Sequence, residues 1–253
     1  MPKTAAFRVS GKNLVSVVNG PLAGHYPAMK ILKTLIPRQV IAAGRLLQVF
    51  LSGYGHSRRV SRMPVDGHGH FIPWLTYPMI EFLNGLDFAQ ATVFEFGAGG
   101  STLYWAKRAR EVVSVELDAA WASRVAAMAP SNVRIIHEPN GHSYADVPIS
   151  LARKFDVIVV DGAERYRSTQ AAIGCLASGG MIILDNAEWY PHCAALLAAS
   201  GLIEVPFSGF PPINAFPSTS SAFLSRDFSR VRLPRVPPVG GRALAGGALD
   251  DKF

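Results

Sequence analysis

The sequence predicts an α/β protein built on a doubly wound, mostly parallel sheet with a helical extension in front of it. Three observations carry this. Strand-like and helix-like patterns alternate from about residue 71 to 228. The run Phe155 to Val160 is almost continuously apolar, as in a strand buried on both faces. A glycine-rich loop, Gly97 to Gly100, closes the first strand and opens the first helix of that region. Taken in order, Ala91 to Phe96 reads as a strand and Ser101 to Arg110 as a helix. Val112 to Val115 is the next strand, Ala119 to Met128 a helix and Val133 to Ile136 a short β-branched strand. After Phe155 to Val160 come a helix near Ser168 to Ala177, then Gly179-Gly180 and the strand Met181 to Leu184. One more helix follows Pro191, and then the strands Ile203 to Phe207 and Ala222 to Ser225.

Three regions follow from the composition: a basic helical extension over 1–70, the α/β domain over 71–228, and a Pro/Gly-rich tail over 229–253 expected to be flexible. In the extension, Leu32, Leu35 and Ile36, then Val40, Ile41, Leu46, Leu47 and Phe50, recur at helical spacing, and Pro37 divides them into two helices. Residues 1–65 hold ten Lys or Arg and no acid, whereas 66–225 hold nine basic and fifteen acidic residues. A basic arm on an acidic domain points to an anionic partner, a membrane surface or nucleic acid; a solvated extension, or one packed on its own domain or in a homodimer, is the alternative. The stretch Ile31 to Leu51 contains Lys33, Pro37, Arg38 and Arg45, too much charge for a span. Leu14 to Val18 is too short for a secretory core. The two cysteines, Cys175 and Cys193, stand outside any metal or redox spacing. A cytoplasmic protein, in reach of a membrane periphery through the arm, is the expectation.

Chemistry concentrates at strand ends, where doubly wound sheets bind ligands. The loop Glu95-Phe96-Gly97-Ala98-Gly99-Gly100-Ser101-Thr102 lets the backbone pass close to a ligand. Nineteen residues beyond Gly97, Glu116 ends the second strand, placed to accept hydrogen bonds from ribose hydroxyls. Thr102 occupies the third glycine position of the dinucleotide fingerprint, which weighs against an oxidoreductase, and no Gly-Lys-Ser/Thr completes a phosphate loop. A non-catalytic protein binding membrane or nucleic acid through the arm is the remaining alternative. The acid, the glycines and Glu116 together resemble the first two motifs of class I S-adenosylmethionine-dependent methyltransferases, over about Phe71 to Arg226. Ser101 replaces that family's last glycine. The resemblance implies a Rossmann-like methyltransferase sheet and S-adenosylmethionine as methyl donor. It further implies that Glu95 organises the loop, that Gly97, Gly99 and Ser101 face the methionine part, and that Glu116 binds the ribose. His137 or Glu138 would approach the adenine.

A second cluster, Asp161 and Asp185-Asn186, also ends parallel strands. Two carboxylates and an amide oxygen suit Mg²⁺, and the pattern resembles the metal-dependent catechol and caffeoyl-coenzyme A O-methyltransferases. That resemblance implies Asp161, Asp185 and Asn186 as metal ligands and catalytic residues. The alternative gives Asp161 to hydrogen bonding and Asp185-Asn186 to a turn. A hydroxyl of a small molecule is the expected acceptor, with Asp161 as first candidate base and Asp185 and His192 behind it. Asp161-Gly162-Ala163-Glu164 stands where enzymes methylating exocyclic amines of bases or glutamine carry Asn/Asp-Pro-Pro-Tyr. Thr76-Tyr77-Pro78, Pro211 to Asn214 and Thr219 to Ser221 are expected to help close the pocket.

Overall fold

The computed structural model describes residues 37–234 and 237–241. Residues up to Gly44 fall in one unit and Arg45–Phe253 in another; the sheet and the sites below belong to the second. The helix expected before Pro37, most of the basic arm and the end of the tail lie outside the described residues.

Helix α1 (Arg38–Gln48) begins just after Pro37, as expected of a residue that cannot continue a preceding helix. A π-helical turn, Val49–Tyr54, follows and ends at Gly55 in the left-handed region. The extension is not helical throughout, because β1 (Arg59–Val60) and β2 (Met63–Pro64) pair as a small antiparallel hairpin. Among the described residues no helix is long and apolar enough to cross a membrane.

The remaining elements are α2 (Tyr77–Asn84), β3 (Thr92–Phe96), α3 (Gly100–Ala106), β4 (Glu111–Glu116), α4 (Ala119–Ala126) and β5 (Val133–His137). They continue with α5 (Gly141–Ser150), β6 (Phe155–Val160), α6 (Arg165–Cys175), β7 (Leu176–Leu184), α7 (Pro191–Ala199), β8 (Ile203–Gly209) and β9 (Ser218–Leu224). Seven strands form one Rossmann-like sheet in the order β5-β4-β3-β6-β7-β9-β8. The pairs from β5 through β7 are parallel, and β9 enters antiparallel between β7 and β8. Strand order reverses between β3 and β6, which opens a crevice at their carboxyl ends.

Alternation along the strands divides the core into two layers. Val157 and Val159 of β6 pack with Leu83, Trp105 and Met181 on one face, and Ile158 and Val160 with Tyr144, Ala172 and Leu197 on the other. Both faces are covered by helices, so β6 has no polar side over Val157–Val160. β7 is longer than expected: it begins at Leu176, and Gly179-Gly180 lies within the strand. The pairing jumps from Phe155–Leu176 to Val157–Met181, so the extra β7 residues are accommodated as an irregularity.

The first part of the predicted flexible tail is tied down. The Arg230 guanidinium lies 3.0 Å from Asp156, whose other oxygen accepts from the Thr92 amide and hydroxyl. Val231 accepts from the Asp87 amide, and the Leu233 amide donates to Gly85. Extended, proline-rich backbone lacks periodicity, yet it can still pair as a strap.

Candidate functional site

β3 delivers Glu95 and Phe96 to the crevice, and the chain then turns at Gly97 with φ +96°. A Cβ at Gly97 would come within 3.2 Å of Gly162 Cα, so both the conformation and the neighbouring backbone demand glycine. Gly162 is tighter still, since a Cβ there would meet the Tyr144 hydroxyl and the Phe96 carbonyl carbon at 2.0 and 2.7 Å. Gly99 differs from both. Its φ of 174° is extended, and a Cβ built on it meets nothing within 4 Å. No part of the protein requires glycine there, and the open space it faces is a cradle that a side chain would fill.

The loop is held from beneath by a polar chain. The Thr102 hydroxyl accepts from the Gly99 amide and lies 3.4 Å from Ser114 Oγ, and Ser114 donates to Glu95 Oε2 at 2.7 Å. Glu95 has no solvent exposure, and its Oε1 has no hydrogen-bond partner. Burial pushes its pKa to about 7, against the pull of the Ser114 hydroxyl and with a smaller push from Asp161. A buried carboxyl with an orphaned oxygen, beside a glycine cradle, suits a ligand that brings a positive charge.

That burial has a consequence for stability. The folded pKa of Glu95 lies above its ordinary value of 4.5, so the folded protein keeps a proton that the unfolded chain releases. The contribution is full below the ordinary value and is lost as pH rises towards 7. Asp161, raised to about 6, and Asp185, also raised, act in the same direction. The unfolding midpoint of the ligand-free protein is therefore expected to fall between about pH 5 and pH 7.5. Glu95→Gln should flatten part of that slope, and thermal melts across the range would check it; an unchanged slope would contradict the buried acid's role.

Glu116, at the end of β4, accepts the Ala98 amide on Oε2 and the Asp118 amide on Oε1, each at 3.0 Å. It therefore fastens the glycine loop to the next strand end, and each oxygen keeps a second lone pair for a hydroxyl. His137 stands opposite Glu116 in the β4–β5 register, exposed, with Nε2 3.1 Å from the Leu117 carbonyl. The Glu138 amide donates to the Glu116 carbonyl. The residues expected to hold the cofactor thus share one rim, with Glu95 as a support below it.

On the other side of the reversal, Asp161 follows β6 and Asp185 follows β7. With Asn186 they open on a cavity of about 290 Å³ walled by Trp74, Trp189, Pro211 and Asn214. Asp161 accepts from Arg165 Nη2 at 2.7 Å, and Arg165 also donates to the carbonyls of Gly162, Val160 and Asp185. Asp185, 5% exposed, accepts from Ser220 Oγ at 2.6 Å, and Ser220 in turn accepts from the Thr76 amide. Burial and the nearby Asp161 charge raise Asp185 well above the usual carboxylate range. Asn186 adopts a left-handed conformation and donates its amide to Ser218, which donates to Glu188. Of the three segments expected to close the pocket, Pro211 and Asn214 line it, whereas Ser220 contacts Asp185 and Thr76 stands behind Ser220.

The expected Mg²⁺ site needs correction. No group of three His, Cys, Asp or Glu is placed to hold a metal among the described residues. The Arg165 guanidinium already stands against Asp161 as its counter-charge, so a divalent cation would meet a positive neighbour there. Asp161, Asp185 and Asn186 do not fit as a metal ligand set. His192 is not among the residues lining the cavity they open on; it lines an open cleft of about 920 Å³, beside Tyr166 and Cys193, that shares Trp189 with that cavity. Arg165 and Ser114 are the residues that sequence reasoning missed, and Ser220, expected to help close the pocket, instead orients Asp185. Arg165 follows Asp161 at i+4, an ion-pair spacing, and this was the available signal.

No protein-family model matches the chain, and a search of curated proteins finds no match. Solved structures of loosely similar fold include precorrin 8w decarboxylase of Methanobacterium thermoautotrophicum (17% identity, TM-score 0.43, covering 55% of this chain and 83% of that one). An rRNA methylase of Streptococcus thermophilus has 13% identity and a TM-score of 0.43, over 59% and 97% of the two chains. The N-methyltransferase NodS of Bradyrhizobium japonicum, in complex with S-adenosyl-L-homocysteine, has 15% identity and a TM-score of 0.43, over 54% and 78%.

Proposed function

We propose that this chain transfers a methyl group from S-adenosylmethionine to a small-molecule acceptor. The observation that carries the reading is Gly99, a glycine demanded by neither its φ nor its neighbours, facing open space at the strand-order reversal. Glu95 with its orphaned oxygen lies beneath it, and Glu116 is in reach of a ribose. When bound, the cofactor supplies a sulfonium-activated methyl group.

The residues have limited chemistry to perform. The loop from Gly97 to Ser101 positions the donor, and Asp161 and Asp185 take up the acceptor's proton. Trp74 and Trp189 limit water around the reacting atoms. No step needs a metal ion. The hydroxyl acceptor read from the sequence is compatible with a carboxylate base. We further propose membrane or nucleic-acid contact through residues 1–65 from the charge pattern, a homodimer from the amphipathic extension and a cytoplasmic setting from the two cysteines outside any redox spacing.

Calorimetric titration with S-adenosylhomocysteine tests the donor site. Binding is expected, with a loss of about tenfold or more for Glu116→Ala and weaker binding of NADH. Absence of binding, or a preference for NADH, would sink the proposal.

A further inference from the structure

We propose that the acceptor is a small amine, bound as its ammonium ion in the cavity walled by Trp74 and Trp189 and faced by Asp161 and Asp185. This rests on the methyltransferase reading and names the substrate class of the same site. The cavity is lined by two carboxylates, and no Lys, Arg or His lines it among the described residues. The nearest built-in cation, Arg165, makes four hydrogen bonds, three to carbonyls and one to Asp161. It balances one carboxylate. Asp185 receives only a neutral hydroxyl, from Ser220, among the side chains. Asp185 therefore has no protein counter-charge of its own, and its buried carboxyl is driven to hold a proton until a cation is supplied.

An ammonium ion supplies that missing counter-charge and brings three N–H donors. Asn186 gives its NH₂ group to Ser218, which leaves its carbonyl oxygen as a further acceptor. The two tryptophans are 42% and 56% exposed, so the core does not account for their indoles. Indole faces attract cations, and Trp is the strongest of the aromatic side chains in this. A hydroxyl acceptor would fill one hydrogen bond and leave Asp185 without a counter-charge, and an anionic acceptor would be repelled by Asp161. The cavity volume of about 290 Å³ lies at the low end for ligand pockets, which restricts the amine to a small one.

The reaction balances without an added reagent. The ammonium gives one proton to a carboxylate of the pair, and the freed nitrogen lone pair forms a C–N bond to the methyl carbon. The C–S bond breaks as it does so. S-adenosylhomocysteine leaves neutral at sulfur, and the positive charge passes to the methylated amine.

The test uses the full chain saturated with S-adenosylhomocysteine and three matched pairs of probes: butylamine and butanol, benzylamine and benzyl alcohol, tyramine and its alcohol analogue. Calorimetry at pH 7.5 should show at least one amine binding tenfold or more tighter than its alcohol. Trp189→Ala and Asp185→Asn should each weaken that amine at least fivefold, with S-adenosylhomocysteine affinity unchanged. Trp189 is exposed enough for its removal to leave folding intact. Alcohols that bind as tightly as the amines, amine binding indifferent to both substitutions, or no binding of any probe would each overturn the amine assignment. Failure of S-adenosylhomocysteine to bind would instead overturn the methyltransferase reading.

Discussion

Asp185→Asn is expected to lower kcat/KM by about 10²- to 10⁴-fold while affinity for S-adenosylhomocysteine stays within about twofold. Asp185 lies on the acceptor side of the strand-order reversal, and the substitution keeps its shape and its partner Ser220. What is lost is a carboxylate able to take a proton. Ser220→Ala should cost less, on the order of tenfold, because it removes a hydrogen bond that orients Asp185 and leaves the base itself. Steady-state rates on the accepted substrate, paired with calorimetry of the donor product, would separate the two sites. If donor affinity fell as far as the rate, Asp185 would belong to the cofactor site and the division proposed here would be wrong.

The glycines should part into two classes. Gly162→Ala forces a Cβ to within 2.0 Å of the Tyr144 hydroxyl and 2.7 Å of Phe96 backbone, and Gly97→Ala adds a Cβ at φ +96°. Each should destabilise the fold by roughly 1–3 kcal/mol, through overpacking in the first case and backbone strain in the second. Gly99→Val should behave in the opposite way. Its Cβ meets only open space, so the melting temperature should hold, whereas S-adenosylhomocysteine affinity should drop by about tenfold or more. Thermal melts and titrations on the three variants decide it. A Gly99→Val protein that binds the ligand normally would empty the cradle of its meaning.

The same contrast shows what a sequence can and cannot reveal here. Phe155 to Val160 is legible to the residue, because a strand covered on both faces reads as one apolar block. The loop after Glu95 is legible because its acid, glycines and helix start are local. α5 escapes notice, with Pro148 inside it and its buried Tyr144, Ala145 and Val147 set among polar neighbours. The Gly179-Gly180 pair imitates a turn, since Gly179 does take a positive φ, but the strand runs on through it. At the site, the acids at the strand ends are visible as a pattern, yet their counter-charges are not. Whether Asp161 faces a metal or Arg165 depends on how the first turn of α6 folds back over the strand ends. The hydroxyl on Asp185 comes from a residue thirty-five positions away. Pairings of that kind belong to tertiary structure.

The insertion of β9 between β7 and β8 has a consequence for how the protein comes to life. The loop, its polar support and Glu116 all lie on consecutive parallel units between Thr92 and Glu116, whereas the hydroxyl that orients Asp185 arrives only with β9. β8 is made before β9 but cannot join the sheet until β9 has taken its place at the edge of β7. Long-range pairings of this sort are slow to form relative to local ones. During synthesis the donor half can therefore assemble while the acceptor half is still incomplete, and competence for transfer waits on the last strand to dock.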